Sequence, residues 1–299
     1  MIYEFAVDPE SIDNWRTFIY VIEKFGVSKG RLISRFPKRW EKVVLDSYNE
    51  NSVLNKSRIV EILSKIKESY YISGRQYDNY KNWIDNAIEQ HNVKNFRAIL
   101  TNKINENISD ILSIDELEES NFKFAVNTGL TIKRKAKELG EAVSELIKIS
   151  KEIIFVDPHF DPNSSGNRFI NTLVEWLKYI NIHENVRIEY HLKQDCDKDY
   201  FTNNCNSKLR NQIPLGLKIK FIRWQERGVT ETLHPRYILT ERGGINIEKG
   251  LDEGQGDDTT DVKLLDNNLY LDRWKDYCDY KKENSTFKFI DEVIVVGNK

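Results

Sequence analysis

The sequence predicts two units of different class: a mostly α-helical N-terminal domain over residues 1–130 and an α/β C-terminal domain over residues 131–299. Three observations predict this. In the first half apolar residues recur at helical spacing, as with Trp15, Phe18, Ile19, Ile22 and Phe25, which lays them on one stripe of a helix. In the second half short apolar runs alternate with amphipathic stretches, the grammar of a sheet covered by helices. The length, 299 residues, suffices for two ordinary domains, each with its own core.

In the N-terminal half Ile59, Ile62, Leu63 and Ile66 mark a further helix that Asn55 or Ser57 can cap. Trp40, Tyr70, Tyr71, Tyr77, Tyr80 and Trp83 lie among basic side chains. They read as an aromatic core under Lys and Arg stems, with base stacking as the functional alternative. A helix over 133–150, with Ala136, Leu139, Ala142, Val143, Leu146 and Ile147 on one face, leads into the second domain. Strands are expected at 153–157, 186–192, 217–223, 236–240, 244–248 and 290–296, and helices near 167–181, 203–213 and 269–282.

Ligands of such open sheets bind beyond the carboxyl ends of the strands. That rule draws attention to His159 just past the first strand, His191 near the end of the second, and Arg223 or Trp224 at the end of the third. His191 and His183 read as structural histidines.

Composition excludes several classes. Charged residues make up 31% against 39% hydrophobic, the balance of a folded chain instead of a disordered one. The formal net charge of −2 argues against a generally basic DNA-coating protein, while a local basic groove is compatible with it. Cys196, Cys205 and Cys278 match no zinc spacing and fit a reducing compartment. The first residues carry an acid where a signal peptide would carry bases, and no apolar run approaches a membrane span. A cytoplasmic protein without a transmembrane segment is expected.

The stretch Leu233-His234-Pro235-Arg236-Tyr237-Ile238-Leu239-Thr240-Glu241-Arg242-Gly243-Gly244 sets a His and a cation two apart on a predicted strand, hence on one face. A histidine beside a fixed positive charge suits phosphate chemistry: imidazole attacks or relays a proton while guanidinium holds oxyanions. The twin glycines permit a tight hairpin into the next strand.

This H-x-R-x-x-x-x-E pattern, followed by Gly250-Leu251-Asp252-Glu253, resembles the H-x-K-x-x-x-x-D signature of the phospholipase D superfamily, with Arg236 for the usual lysine and Glu241 for the usual aspartate. The likeness is closer to the phospholipase D-like domain at the C-terminal end of MIT-domain proteins. Ile153-Ile154-Phe155-Val156-Asp157-Pro158-His159-Phe160 and Leu271-Asp272-Arg273-Trp274 fit that branch as well. The resemblance covers the second half alone. It implies an α/β phospholipase D-like domain in which His234 attacks phosphorus, Arg236 holds non-bridging oxygens and Glu241 orients a ring nitrogen or a site cation. A second histidine must protonate the leaving oxygen. Either His159 does so within the chain or a homodimer brings two His234 side chains together. No metal or other cofactor is required by such chemistry.

In the first half, residues 28–40 carry Lys29, Arg31, Arg35, Lys38 and Arg39 with no acid. They read as a nucleic-acid-facing patch or as a solvated loop. Residues 252–261 hold five carboxylates, without an EF-hand spacing; a flexible acidic loop is expected there in preference to a metal site. Two function classes therefore stand: a phospholipase D-like nuclease with nucleic acid as substrate, suited to bacterial defence or DNA processing, and a non-catalytic module that binds a phosphate ligand, a nucleic-acid backbone or a lipid headgroup. A protein partner through the N-terminal half is compatible with either.

Overall fold

A computed structural model describes residues 1–48, 53–66, 69–103, 108–182, 184–226, 236–279 and 287–299. The chain divides into two compact units, Met1–Thr128 and Gly129–Lys299. The expected His234 and His183 lie outside the described residues. Among the described residues no helix is long and apolar enough to cross a membrane.

The first unit is α/β and not mostly helical. Its elements run β1 (Tyr3–Val7), α1 (Trp15–Lys24), β2 (Arg31–Ser34), α2 (Trp40–Ser47), α3 (Val53–Lys65), β3 (Tyr70–Tyr71), α4 (Trp83–Val93), β4 (Ile99–Leu100) and β5 (Ile111–Leu112). The strands form a parallel sheet in the order β3-β2-β1-β4-β5. The expected helices are present, but they cover this sheet. All residues of β2 and all but the first of β1 are buried, because helices and loops pack on both faces. Successive side chains of β1 enter separate cores: Phe5 and Val7 join Phe18, Trp40 and Phe124, whereas Ala6 joins Phe36, Trp83 and Phe96. A strand buried on both faces shows no polar alternation, and these strands are too short to register as apolar runs.

Asn14 caps α1 by accepting from Thr17 N at 2.9 Å, and Asn82 caps α4 by accepting from Asp85 N at 2.8 Å. Neither Asn55 nor Ser57 caps α3, since that helix already begins at Val53. Trp40, Tyr70, Tyr71 and Trp83 are core aromatics, while Tyr80 is 100% exposed.

The second unit runs β6 (Gly129–Lys133), α5 (Ala136–Lys148), β7 (Glu152–Val156), α6 (Arg168–Leu177), β8 (Arg187–Lys193), α7 (Lys198–Leu209), β9 (Lys218–Glu226), β10 (Tyr237–Thr240), β11 (Gly243–Ile247), β12 (Thr259–Leu264), α8 (Asn267–Cys278) and β13 (Phe287–Val296). Its sheet has the order β13-β9-β8-β7-β10-β11-β12-β6. β7, β8 and β9 are parallel, as strand-helix-strand connections require. β10 turns back antiparallel to β7 and forms a hairpin with β11. Alternate β7 side chains face opposite layers: Phe155 stacks on Trp176 of α6, with centroids 4.9 Å apart, and Ile154 and Val156 pack with Tyr270 and Tyr277 of α8. The acidic run is not a free loop, because its end, from Thr259, is part of β12, which pairs with both β11 and β6.

His191 is structural. Trp224 Nε1 donates to its Nδ1 at 3.0 Å, and its Nε2 lies 3.4 Å from the buried Glu189 carboxylate. Burial pushes its pKa below the ordinary 6.5, with Glu189 opposing in part. The folded state thus binds fewer protons than the unfolded chain below that pH. The stability it contributes should be full above about pH 6.5 and should decline as pH falls through the depressed folded value. Urea midpoints measured from pH 7.5 to 5 should fall less steeply in His191→Gln than in the parent; equal slopes would remove His191 from the acid sensitivity.

Candidate functional site

The site begins where β7 ends. Asp157, the next residue, is 1% exposed. Its Oδ1 accepts from His159 N at 2.9 Å and its Oδ2 from Leu251 N at 2.7 Å, so one carboxylate ties the strand's exit to the loop after β11. Burial raises its pKa, against the two N–H donors and the Arg236 and His159 charges that favour ionisation. Its linkage is opposite in sign to that of His191: its contribution to stability declines as pH rises from 3.8 through the raised folded value.

The pairing of Tyr237 with Val156 sets Arg236, one residue earlier, opposite Asp157. The Arg236 carbonyl accepts from Ile247 N and from Asn246 Nδ2, both at 3.1 Å, which fixes its backbone at the mouth of the sheet. Together with Arg134, His159, Arg168, Lys249 and Asp252, these residues line a cleft of about 480 Å³ beyond the carboxyl end of β7. The location is where an open α/β sheet places ligands.

The cations in this cleft are held differently. Arg134, just past β6, pairs with Asp252 and, at 3.2 Å, with Asp258, and its Nε donates to the Asp252 carbonyl at 3.1 Å. Arg168, the first residue of α6, lies 3.5 Å from the other Asp252 oxygen. Lys249 pairs with Asp258 at 2.7 Å. Asp252 is therefore the buried hub of an Arg-Asp-Arg frame. Among the described residues Arg236 has no carboxylate within salt-bridge distance, and the Nε atoms of Arg236 and Arg168 are buried without a hydrogen-bond partner. A buried guanidinium N–H left without an acceptor carries a desolvation cost that an entering oxyanion removes.

Gly250 is required by this packing. Its φ is +142°, and a Cβ there would sit 2.7 Å from Asp252 Oδ1 and 2.9 Å from Arg134 Nη2. Gly250→Ala should lower stability by about 1–3 kcal/mol through backbone strain and displacement of the frame. Paired denaturation and anion-binding curves check this; parent-like values in both would show that the frame tolerates the methyl group.

Of the residues picked from the sequence, Arg236 and His159 meet in the cleft, and His159 is exposed at its mouth. Glu241 does not join them. Its two oxygens accept from Lys151 N and Glu152 N, each at 3.0 Å, so it pins the start of β7 while the cleft lies at the strand's end. β10 runs antiparallel to β7, and five residues of strand carry the chain about 15 Å from Arg236.

The basic stretch of the first unit also divides. Arg31 is 4% exposed: its Nε donates to the Phe124 carbonyl at 3.2 Å, its Nη1 to the Lys24 carbonyl at 3.1 Å, it pairs with Glu119, and it covers the Phe124 ring. It is a core strut and is closed to a phosphate. Lys29 donates to the Glu23 carbonyl at the start of β2. Arg35 pairs with Glu41 at 3.2 Å, and Lys38 and Arg39 lie with it past the other end of β2. The five cations thus form no single surface.

Sequence reasoning missed Arg134, Arg168 and Lys249. Arg134 meets Asp252 only because β6 pairs with β12, a contact across more than a hundred residues that no local pattern encodes. Among the described residues no group of three or more His, Cys, Asp or Glu side chains is arranged to hold a metal ion.

No protein-family model matches the chain, and no curated protein matches it. Among solved structures it is similar to the archaeal chromatin protein TrmBL2, whose structure is described as showing a novel mode of DNA binding. The likeness has a TM-score of 0.28 and 9% identity, over 58% of this chain and 57% of that one. So loose a likeness carries no argument, and function rests on the residues.

Proposed function

We propose that the second unit is a phospholipase D-like phosphodiesterase that takes a nucleic-acid phosphodiester in the Arg236 cleft. The observation that carries this reading is Arg236 itself: a guanidinium at the mouth of the sheet, without a carboxylate partner among the described residues, beside His159 and a second arginine with an unsatisfied Nε. The reaction assigned to it is a double displacement. A ring nitrogen of His234 bonds to phosphorus as the ester P–O bond breaks, and the leaving oxygen takes a proton from His159. Water then attacks the phosphohistidine, gives its proton to His159 and frees His234. Arg236 and Arg168 hold the non-bridging oxygens throughout. With His159 serving as acid and base, one chain suffices; a homodimer pairing two His234 side chains is the alternative arrangement.

A second reading, a module that binds phosphate without cleaving it, is favoured by one observation. Glu241, which the resemblance makes the orienting acid, is engaged at the far end of β7. The experiment that separates the two is incubation of the full chain with labelled single- and double-stranded DNA and RNA, in EDTA and in Mg²⁺. The enzyme reading expects cleavage that persists in EDTA, since His and Arg manage the phosphate charge. Retained binding with no cleavage of any nucleic acid or phospholipid supports the module.

A further inference from the structure

The first unit carries a second candidate site, independent of the reading of the Arg236 cleft. Its strand order β3-β2-β1-β4-β5 is that of a doubly wound sheet, in which successive strands are added to one side of β1 and then, from β4, to the other. Such sheets bind ligands beyond the carboxyl ends of their strands. At that edge lie residues 8–11 after β1, 37–39 after β2, 77–79 after β3 and 101–103 after β4.

Of the acids near this edge, Asp8, Glu10 and Glu41 are already committed, and Asp78, exposed beside Tyr77, accepts from Tyr80 N at 2.9 Å. Asp8 is wholly buried and accepts from Glu10 N at 3.0 Å, Ser11 Oγ at 2.8 Å and Thr101 Oγ1 at 2.7 Å. Glu10 pairs with Lys103, and Glu41 with Arg35. Lys38 and Arg39 are exposed, and among the described residues no carboxylate pairs with either. They adjoin an open depression of about 650 Å³ lined by Pro37, Lys38, Arg39, Tyr77 and Asn79. The Tyr77 ring is half-buried and held edge-on by Phe36, with centroids 5.2 Å apart at 71°. Burial first, then Glu10 and Asp8, push its hydroxyl above the ordinary value, so it stays a neutral donor.

We propose that this edge binds a nucleoside phosphate, with the phosphate on Lys38 and Arg39 and the base against Tyr77 and Asn79. Two neighbouring cations that no carboxylate pairs with among the described residues suit an anion. The wall of Pro37 and the Tyr77 ring suits a planar aromatic group, which a bare phosphate does not offer, and Asn79 supplies both a donor and an acceptor for a base edge. The depression is open to solvent, so a base lies against it on one face while the phosphate reaches the two cations.

Calorimetric titration of the full chain carrying Arg236→Ala, with ATP, GTP, CTP, UTP, inorganic phosphate and a five-residue oligothymidylate, tests this. At least one nucleotide or the oligonucleotide should bind, and more tightly than inorganic phosphate. The Lys38→Ala, Arg39→Ala double variant should weaken binding by about tenfold or more, and Tyr77→Leu by about threefold or more, while Tyr77→Phe keeps the ring and most of the affinity. Because the cleft of the second unit is disabled in this background, the binding that remains reports the edge of the first unit. Binding of the oligonucleotide alone would support the same chemistry with a strand as its source. No heat with any nucleotide or strand, phosphate bound as tightly as the best nucleotide, or affinity retained when Lys38→Ala and Arg39→Ala are added would each overturn the proposal.

Discussion

His234→Ala should reduce phosphodiester turnover by about four to six orders of magnitude while leaving the fold and most ligand affinity in place. A covalent nucleophile supplies an intermediate that no neighbouring oxygen replaces, and removing such a group costs on this scale even when the rest of the site survives. His159→Ala should cost less, about a hundredfold to ten-thousandfold, because it removes proton transfer and keeps the attack. The split is read by single-turnover cleavage of a labelled oligonucleotide in EDTA, with binding followed in parallel. Mg²⁺-dependent cleavage that survives His234→Ala would remove the phosphohistidine and direct attention to the carboxylates of residues 252–261.

Arg236→Ala should weaken binding of an anionic ligand by about ten- to a hundredfold, the range for loss of a charge-assisted hydrogen-bonding group from a partly enclosed site. Its reference is Lys137→Ala, whose side chain is 77% exposed on α5. The measurement is fluorescence anisotropy with a labelled oligonucleotide across a salt series. Removing one phosphate contact should lower the slope of log affinity against log salt by about one. A parent-like slope and affinity would show that Arg236 does not face the ligand. Arg134→Ala should behave differently, because it also leaves the buried Asp252 short of a partner; part of its effect should appear as lost stability.

The second unit was legible where single strands carry their own signal. The run Ile153-Ile154-Phe155-Val156 is apolar enough, and the corner at Asp157-Pro158 sharp enough, to locate β7 and its exit, and the twin glycines locate the β10–β11 hairpin. β6 and β12 escaped because their patterns are mixed: β6 has no buried residue, and β12 begins inside a stretch dominated by acids. In the first unit the two-residue strands β3, β4 and β5 are legible only through their pairing.

The site was legible in the same uneven way. The two-residue spacing pointed to Arg236, and the strand exit pointed to His159. Glu241 was misplaced because a motif records separation along the chain and not the direction in which a strand leads away. Arg31 was misplaced for another reason. A guanidinium in a basic run looks solvated until the Phe124 carbonyl, the Lys24 carbonyl and Glu119 are known to surround it. The Asp252 hub was beyond local reading, since Arg134 and Arg168 converge on it from two other segments.

A phosphate held in the Arg236 cleft should be replaceable there by tungstate, an electron-dense mimic of phosphate. Crystals of the full chain soaked in tungstate should show an anomalous peak within hydrogen-bonding distance of the Arg236 guanidinium, on the side of the cleft lined by His159 and Arg168. The peak should be absent from Arg236→Ala crystals of the same form. An empty cleft in the parent, or a peak that persists unchanged in Arg236→Ala, would show that Arg236 holds no phosphate there.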